Sequence, residues 1–286
     1  MTRLSITERI RVGDRTYRIK GVFANELPLQ EIRERFEPWL DTVYQTVLRF
    51  REGTFLDVGA NFGQTMLKIL ALDRTRQYVG FEPQPWGCYL IQSFIEENRL
   101  KSHTILPLGL SNRNHLARLY IKGGGKDSMA SMVENFRPDS FYTSSQYTCV
   151  RKGDEVIAEL KIPSVSAIKI DVEGGELEVI EGLSDTIREK MPFIIFEVLN
   201  HDLAVTGENL DARAVQFREG RTEKMECLLR GQGYEIYNVL SGNILRRVGK
   251  IQPAMSADLS NTNYVAVPKL DVGLFLRTFP GTIQDA

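Results

Sequence analysis

Two short segments of this chain place acidic residues and glycines directly after an apolar run. The first reads Phe-Leu-Asp-Val-Gly-Ala-Asn-Phe-Gly over residues 55–63, and the second reads Ile-Lys-Ile-Asp-Val-Glu-Gly-Gly-Glu over residues 168–176. This pattern is typical of a buried parallel strand that turns into a helix. Such turns lie at the carboxyl edge of an open α/β sheet, where these folds bind ligands. The pair therefore predicts a nucleotide-like cofactor.

The glycine spacing of the first turn narrows the choice of cofactor. Gly59 and Gly63 allow a close approach of the backbone, and Asn61 tolerates unusual backbone angles. The free N–H groups of the following helix favour an anion, such as the carboxylate of an amino-acid-like cofactor. The spacing is G-x-x-x-G, so the G-x-G-x-x-G dinucleotide motif is absent, and so is a phosphate-binding P-loop. An NAD or ATP site is therefore disfavoured.

A further acid follows the next predicted strand, in the segment Phe81-Glu82-Pro83. An acid at this position normally accepts hydrogen bonds from the hydroxyls of a ribose. We therefore interpret Asp57 and Glu82 as cofactor-binding residues, in preference to a helix cap and a surface carboxylate. Together these details favour S-adenosylmethionine.

Predicted strands and helices alternate along the chain around these residues. This alternation indicates βαβ units and a parallel sheet. Strands are predicted at 54–58, 78–81, 104–108, 167–171 and 192–198, and helices at 64–72, 86–99 and 176–183. The segment of about residues 116–150 breaks the rhythm and is interpreted as an inserted hairpin, since about 30 residues cannot bury their own core. We predict an N-terminal helical cap over 1–50, a catalytic domain over 51–268 and a C-terminal tail over 269–286.

Composition excludes several classes of function. The net charge of −1 gives no global attraction to nucleic acid, and no apolar run is long enough for a membrane span. Three widely spaced cysteines, without an apolar signal peptide, indicate a reducing compartment, so a cytoplasmic protein is expected. The charged run from Arg218 to Glu226 is interpreted as a solvated helix face.

The motifs in combination resemble the FkbM-type methyltransferases. The resemblance rests on 57–63, on Phe81-Glu82-Pro83, on Lys169-Ile170-Asp171-Val172-Glu173-Gly174-Gly175-Glu176, on 192–198 and on Asn263-Tyr264. It runs from about residue 52 to 268 in the order of the family. The chain departs from the family pattern at Gly153-Asp154, where the family usually has Leu-Asp, and matches it only loosely over 123–145.

This resemblance implies a Rossmann-like seven-stranded methyltransferase sheet of order 3-2-1-4-5-7-6, with the last strand antiparallel and helices on both faces. It also implies S-adenosylmethionine as the methyl donor and a hydroxyl of a sugar or natural product as the acceptor. The cofactor positions of the family correspond to Asp57, Gly59, Asn61, Gly63 and Glu82, with Ser111 near the adenine and Asp171 beside the site.

Methylation of an alcohol requires that its proton be removed, so a carboxylate or a histidine should serve as general base. The candidates are Asp171, Glu173 and His201; Glu173 can instead cap the next helix, and His201 can be an exposed loop residue. No metal is predicted, because there is no His/Cys cluster for zinc, and strand-end carboxylates suited to Mg²⁺ or Ca²⁺ are common without metals. An RNA or protein methyltransferase and a non-catalytic cofactor-binding module remain as alternatives. The expected partner is a small-molecule or glycan hydroxyl, with no nucleic acid.

Overall fold

The computed structural model describes residues 7–20, 37–122, 127–203, 208–209, 212–253 and 258–285. The helices are α1 (Asp41–Phe50), α2 (Gln64–Leu72), α3 (Pro85–Glu97), α4 (Gly153–Glu159), α5 (Glu176–Gly182), α6 (Ser184–Lys190), α7 (Ala212–Gly231) and α8 (Val272–Thr278). The strands are β1 (Thr7–Val12), β2 (Arg15–Lys20), β3 (Thr54–Val58), β4 (Tyr78–Phe81), β5 (His103–Leu106), β6 (Gly109–Ser111), β7 (His115–Ile121), β8 (Ser144–Lys152), β9 (Val165–Ile170), β10 (Phe193–Glu197), β11 (Asp202–Leu203), β12 (Glu208–Asn209), β13 (Tyr234–Leu240), β14 (Ile244–Arg247), β15 (Asn263–Pro268) and β16 (Thr282–Gln284).

The central element of the described fold is a mixed sheet of nine strands, in the order β16-β14-β13-β15-β10-β9-β3-β4-β5. The run from β5 to β10 is parallel, whereas β15 is antiparallel to both β10 and β13. The predicted α/β fold with a large mixed sheet is therefore confirmed. The predicted count of seven strands is too low, because β14 and β16 extend the sheet beyond β13.

The central strands are buried along their whole length, as expected for parallel strands with helices on both faces. Neighbouring side chains on a strand point to opposite faces. Phe55 on β3 accordingly belongs to one hydrophobic core and Leu56 to the other. Two cores thus hold the carboxyl ends of β3, β9 and β10 in fixed relative positions.

The segment that breaks the alternation forms a small sheet of its own. Strands β7 and β8 pair antiparallel, and β6 joins them in the order β6-β8-β7. In this small sheet β6 packs on α5, and β8 contacts α4. The division of the chain into domains stays a prediction.

The two ends of the chain contain regular structure. β1 and β2 form an antiparallel hairpin with Gly13 in its turn. The predicted N-terminal helical cap over 1–50 contains residues 1–6 and 21–36, which lie outside the described residues, and α1 begins at Asp41. The predicted C-terminal tail contains α8 and β16, because Phe275 and Phe279 are buried in the core.

The charged helix α7 is solvated along only part of its predicted face, where Glu223 and Lys224 are exposed. Arg218, Thr222 and Glu226 are buried. Arg218 donates to the carbonyl of Phe136, and Glu226 accepts from the backbone N–H of Ile251, so loop backbone groups satisfy these side chains. Within the described residues, no helix is both long enough and apolar enough to cross a membrane. The cytoplasmic location stays a prediction.

Candidate active site

A cavity of about 500 Å³ lies where β3, β4, β9 and β10 reach their carboxyl ends. Residues between β7 and β8 also line it. The charged side chains in its lining are Glu37, Glu82, Arg137, Asp171, Glu173 and Glu197. Acids thus outnumber bases in this described lining, while Trp39, Phe81 and Phe141 contribute aromatic surface. An enclosed site of this charge suits a ligand that is cationic and partly apolar.

The first turn brings Asn61 and Glu82 together at one end of the cavity. Asn61 has a left-handed backbone with φ 50°, and its N–H donates to Oε2 of Glu82 at 2.7 Å. Oε1 of Glu82 accepts from the N–H of Gln84 at 2.7 Å. Burial outweighs these two hydrogen bonds and raises the pKa of Glu82 to about 8. Both residues line the cavity, as their predicted cofactor-binding role requires.

The glycines of the first turn have structural roles. Gly59 has φ 87°, and an added Cβ would lie 1.9 Å from the carbonyl oxygen of Asp171. The backbones of the two turns are therefore in direct contact at this position. Gly63 has φ 90°, precedes α2 and packs against Ile91 of α3, without lining the cavity.

Asp57 lies beneath the cavity and does not line it. Its side chain is completely buried, and Oδ2 accepts a hydrogen bond from Tyr78 Oη at 2.5 Å. Burial raises the pKa of Asp57, although the nearby Lys169 opposes this effect. Oδ1 has no hydrogen-bond partner among the described residues. In this structure the side chain of Asp57 is thus hydrogen-bonded to Tyr78 of β4 and does not reach the cavity.

The second turn places two acids in the cavity, each with its own cation. Lys169 Nζ contacts Asp171 Oδ2 at 2.8 Å, which is the ion pair expected for two residues on one strand face. Arg137, from the segment between β7 and β8, forms an ion pair with Glu173. Glu173 has a left-handed backbone with φ 55°. Glu173 does not cap the next helix, because the N-cap of α5 is Gly175, without a side-chain cap. Glu176 Oε1 instead accepts from the N–H groups of Val172 and Gly174 in the turn, each at 3.1 Å.

Ser111 and His201 are two further predicted site residues that do not line the cavity. Ser111 packs against Gly182 of α5 and lines a neighbouring groove of about 740 Å³. His201 is buried, and neither ring nitrogen has a hydrogen-bond partner among the described residues. Its Nε2 lies 3.8 Å from Glu219 Oε1, and burial lowers its pKa. A base has to reach the proton that it removes, so this placement does not favour His201.

Glu37 and Arg137 also line the cavity, although neither was among the predicted site residues. Glu37 comes from the segment before α1, and its Oε1 accepts from Asn263 Nδ2 at 3.0 Å. Arg137 lies in the segment with the loosest motif match. Neither has a spacing pattern that links it to the two turns, so only the folded arrangement shows their position.

The segment between β7 and β8 forms one wall of the cavity. Gln84 and Asp127 exchange hydrogen bonds, from Gln84 Nε2 to the Asp127 carbonyl at 2.6 Å and from the Asp127 N–H to Gln84 Oε1 at 3.3 Å. Farther along, Phe136 packs on Gly174, where an added Cβ would lie 2.6 Å from the ring. The wall is thus held at two places, in the segment after β4 next to Glu82 and in the second turn next to Glu173.

The part of the chain that matches a known family includes the acids and glycines of both turns. The sequence model described as "Methyltransferase FkbM domain" matches residues 57–247. A curated relative, the AMB antimetabolite synthetase AmbE of Pseudomonas aeruginosa, is 24% identical over 254 residues; the match covers 77% of this chain and 11% of AmbE. This chain therefore spans only a small part of that protein's length.

Solved structures with similarity to the chain include two methyltransferases. The methyltransferase FkbM of Methylobacillus flagellatus KT has a TM-score of 0.45 at 15% identity, with 78% of this chain and 47% of that chain covered. A SAM-dependent O-methyltransferase of Thermotoga maritima has a TM-score of 0.39 at 14% identity, with 91% and 77% covered. The match to the family model is the stronger finding, because it extends over more than half of the chain.

Proposed function

Because this chain belongs to the FkbM methyltransferase family, we propose that it transfers a methyl group from S-adenosylmethionine to a hydroxyl of a sugar or natural product. The observation that carries this proposal is the cavity of about 500 Å³, which joins the Asn61–Glu82 contact to the acids of the second turn. Asn61 and Glu82, which we propose to bind the donor, and Asp171 and Glu173, which we propose as candidate bases, therefore line one cavity.

The lining fits S-adenosylmethionine in charge and hydrogen bonding. Glu82 would accept from the ribose hydroxyls, and Asn61 has a buried Oδ1 without a hydrogen-bond partner among the described residues. The excess of acids suits a sulfonium cation, and the volume falls within the usual range for cofactor sites, roughly 300–1,000 Å³. When bound, this cofactor supplies an activated methyl group for in-line displacement.

The chain's own residues would orient the acceptor and remove its proton. Asp171 and Glu173 line the cavity, and their ion pairs with Lys169 and Arg137 hold the two carboxylates in place. We propose that one of these acids takes the hydroxyl proton, since both are carboxylates on the same wall. The wall between β7 and β8 would exclude water from the reacting groups.

Natural products and sugars are the acceptor classes to test first. The match to AmbE, whose name describes an antimetabolite synthetase, supports the natural-product class, although only 11% of that protein is covered. Methyl transfer from a labelled donor over panels of glycans, small alcohols, peptides and RNA would identify the acceptor. Labelling of RNA or peptide alone would replace the small-molecule proposal.

Calorimetry with S-adenosylhomocysteine tests donor binding separately from turnover. We expect saturable binding at one site by the wild type and at least tenfold weaker binding by Glu82→Ala, since loss of the buried acceptor leaves the ribose hydroxyls unsatisfied at a cost of about 1–3 kcal/mol. Glu189→Gln, at an exposed surface pair, should bind as the wild type does. Absence of wild-type binding would refute the proposal, and binding without any turnover would favour a non-catalytic module.

A further inference from the structure

Glu197 at the end of β10 is a cavity residue that the donor and base assignments do not use. Its Oε1 accepts from Thr262 Oγ1 at 2.8 Å. Carboxylate oxygens of Asp171, Glu173 and Glu197 all lie within 4.8 Å of one another. Three acids at this separation, at the edge of a buried sheet, cannot all stay ionised without compensation.

The three acids differ in their partners. Asp171 is paired with Lys169, and Glu173 is paired with Arg137. For Glu197 the described residues provide a neutral hydroxyl and no cation. Glu197 is therefore the member of the cluster whose charge is uncompensated.

The other charged groups around Glu197 do not change this result. Glu37, from the segment before α1, adds a further negative charge. On α7, Arg218 and Arg221 line a small cavity of about 30 Å³ behind Glu197. Arg218 donates to backbone carbonyls, including that of Phe136, and Arg221 is paired with Glu178. Among the described residues, neither guanidinium group forms an ion pair with Glu197.

The local electrostatics favour the neutral form of Glu197. Burial is the largest cause that raises its pKa well above the usual value, and repulsion from Asp171, Glu173 and Glu37 adds to it. The hydrogen bond from Thr262 opposes the shift only in part. A positive charge placed in the cavity would act in the opposite direction and favour ionisation.

We propose that Glu197 distinguishes the methyl donor from its product by charge. Glu197 is protonated in the free protein and releases its proton to solvent when the sulfonium of S-adenosylmethionine binds. It keeps the proton when the neutral thioether of S-adenosylhomocysteine binds. The inference rests on the proposed function, because it assumes that these two ligands occupy the cavity. It assigns Glu197 as a specificity-determining residue for the charged donor.

Proton release by Glu197 makes the preference for the donor over the product depend on pH. Release of one proton with the donor, and none with the product, makes the ratio of the two dissociation constants depend on pH. While Glu197 is protonated in the free protein, preference for the donor should increase by up to about tenfold per pH unit. Groups that respond equally to both ligands, such as Glu82, cancel in this ratio.

The test is isothermal titration calorimetry of the full chain with S-adenosylmethionine and with S-adenosylhomocysteine, in buffers of different ionisation enthalpy. We expect the donor to release about one proton more than the product near neutral pH. In Glu197→Gln this difference should vanish, while affinity for S-adenosylhomocysteine changes by less than about threefold, since the neutral amide resembles the protonated acid. Glu189→Gln should retain the wild-type difference.

Equal proton release with both ligands by the wild type would overturn the inference, as would a difference that persists in Glu197→Gln. Should Glu197→Gln fail to fold, the wild type alone decides, through the ratio of dissociation constants between about pH 6 and pH 8. A ratio that is constant with pH overturns the inference, and an increasing one supports it. Failure of both ligands to bind would instead refute the proposed function itself.

Discussion

Replacement of Gly59 by alanine should separate the two turns that build the cavity. An added Cβ would lie 1.9 Å from the Asp171 carbonyl oxygen and 2.9 Å from its carbonyl carbon. Both atoms belong to backbone, so no side-chain rotation can relieve the overlap. The second turn must therefore move by about 1 Å or more to restore an ordinary contact.

Two costs add in Gly59→Ala. The left-handed backbone, with φ 87°, costs alanine about 1–2 kcal/mol. Overpacking against the second turn costs typically about 1–3 kcal/mol more. We therefore expect the free energy of unfolding to fall by about 2–5 kcal/mol, and affinity for S-adenosylhomocysteine to fall by about tenfold or more, because its binding groups are displaced.

Urea denaturation and calorimetry would measure the two effects of Gly59→Ala. Gly220→Ala is the matched control, because Gly220 lies inside α7 with no atom within 4 Å of an added Cβ. That control should be stabilised by about 0.5–1 kcal/mol through better helix propensity. Stability and affinity of Gly59→Ala within error of the wild type would refute the contact between the two turns.

Three further predictions concern buried charges. Arg137→Met should reduce the free energy of unfolding, measured by urea denaturation, by about 3–5 kcal/mol, because it leaves Glu173 buried without its cation. The control Arg188→Met, at an exposed ion pair, should change the free energy of unfolding by less than about 1 kcal/mol. The pKa of Glu82 is about 8 in the folded protein against 4.5 in the unfolded chain, so between these values only the folded state keeps the proton. The free energy of unfolding should therefore fall as pH rises through this range. Urea denaturation of Glu82→Gln should lack this pH dependence, and a pH profile identical to that of the wild type would contradict the prediction. Arg218→Met should weaken the wall between β7 and β8, because Arg218 donates to the carbonyl of Phe136. Amide hydrogen exchange should become faster near Phe136 and change less in the rest of the chain. An equal change in exchange throughout the chain would contradict this role of Arg218.

The sequence was sufficient to predict the two turns and the sheet edge that they share. Apolar runs identify β3 and β9 as buried strands, and parallel strands place their carboxyl ends together. The approach of Glu82 to Asn61, and the presence of Asp171 and Glu173 in one cavity, follow from that arrangement. Local pattern and strand direction therefore predict this part of the site.

Residues that reach the cavity through tertiary packing could not be predicted in this way. Glu37 and Arg137 lie far from both turns in sequence, and their positions depend on how the first helix and the inserted segment pack. His201 follows β10 as predicted, yet the direction of its loop takes it away from the cavity. Arg218 lies in a charged helix, and its burial depends on the carbonyl of Phe136, which no periodicity reveals.

A structure of the protein in complex with S-adenosylhomocysteine would test the central claim most directly, namely that the two turns form one donor-binding cavity. The account predicts the ribose hydroxyls within hydrogen-bond distance of Glu82 and the thioether sulfur facing Asp171 and Glu197. Binding of the ligand elsewhere, or with the ribose away from Glu82, would contradict it.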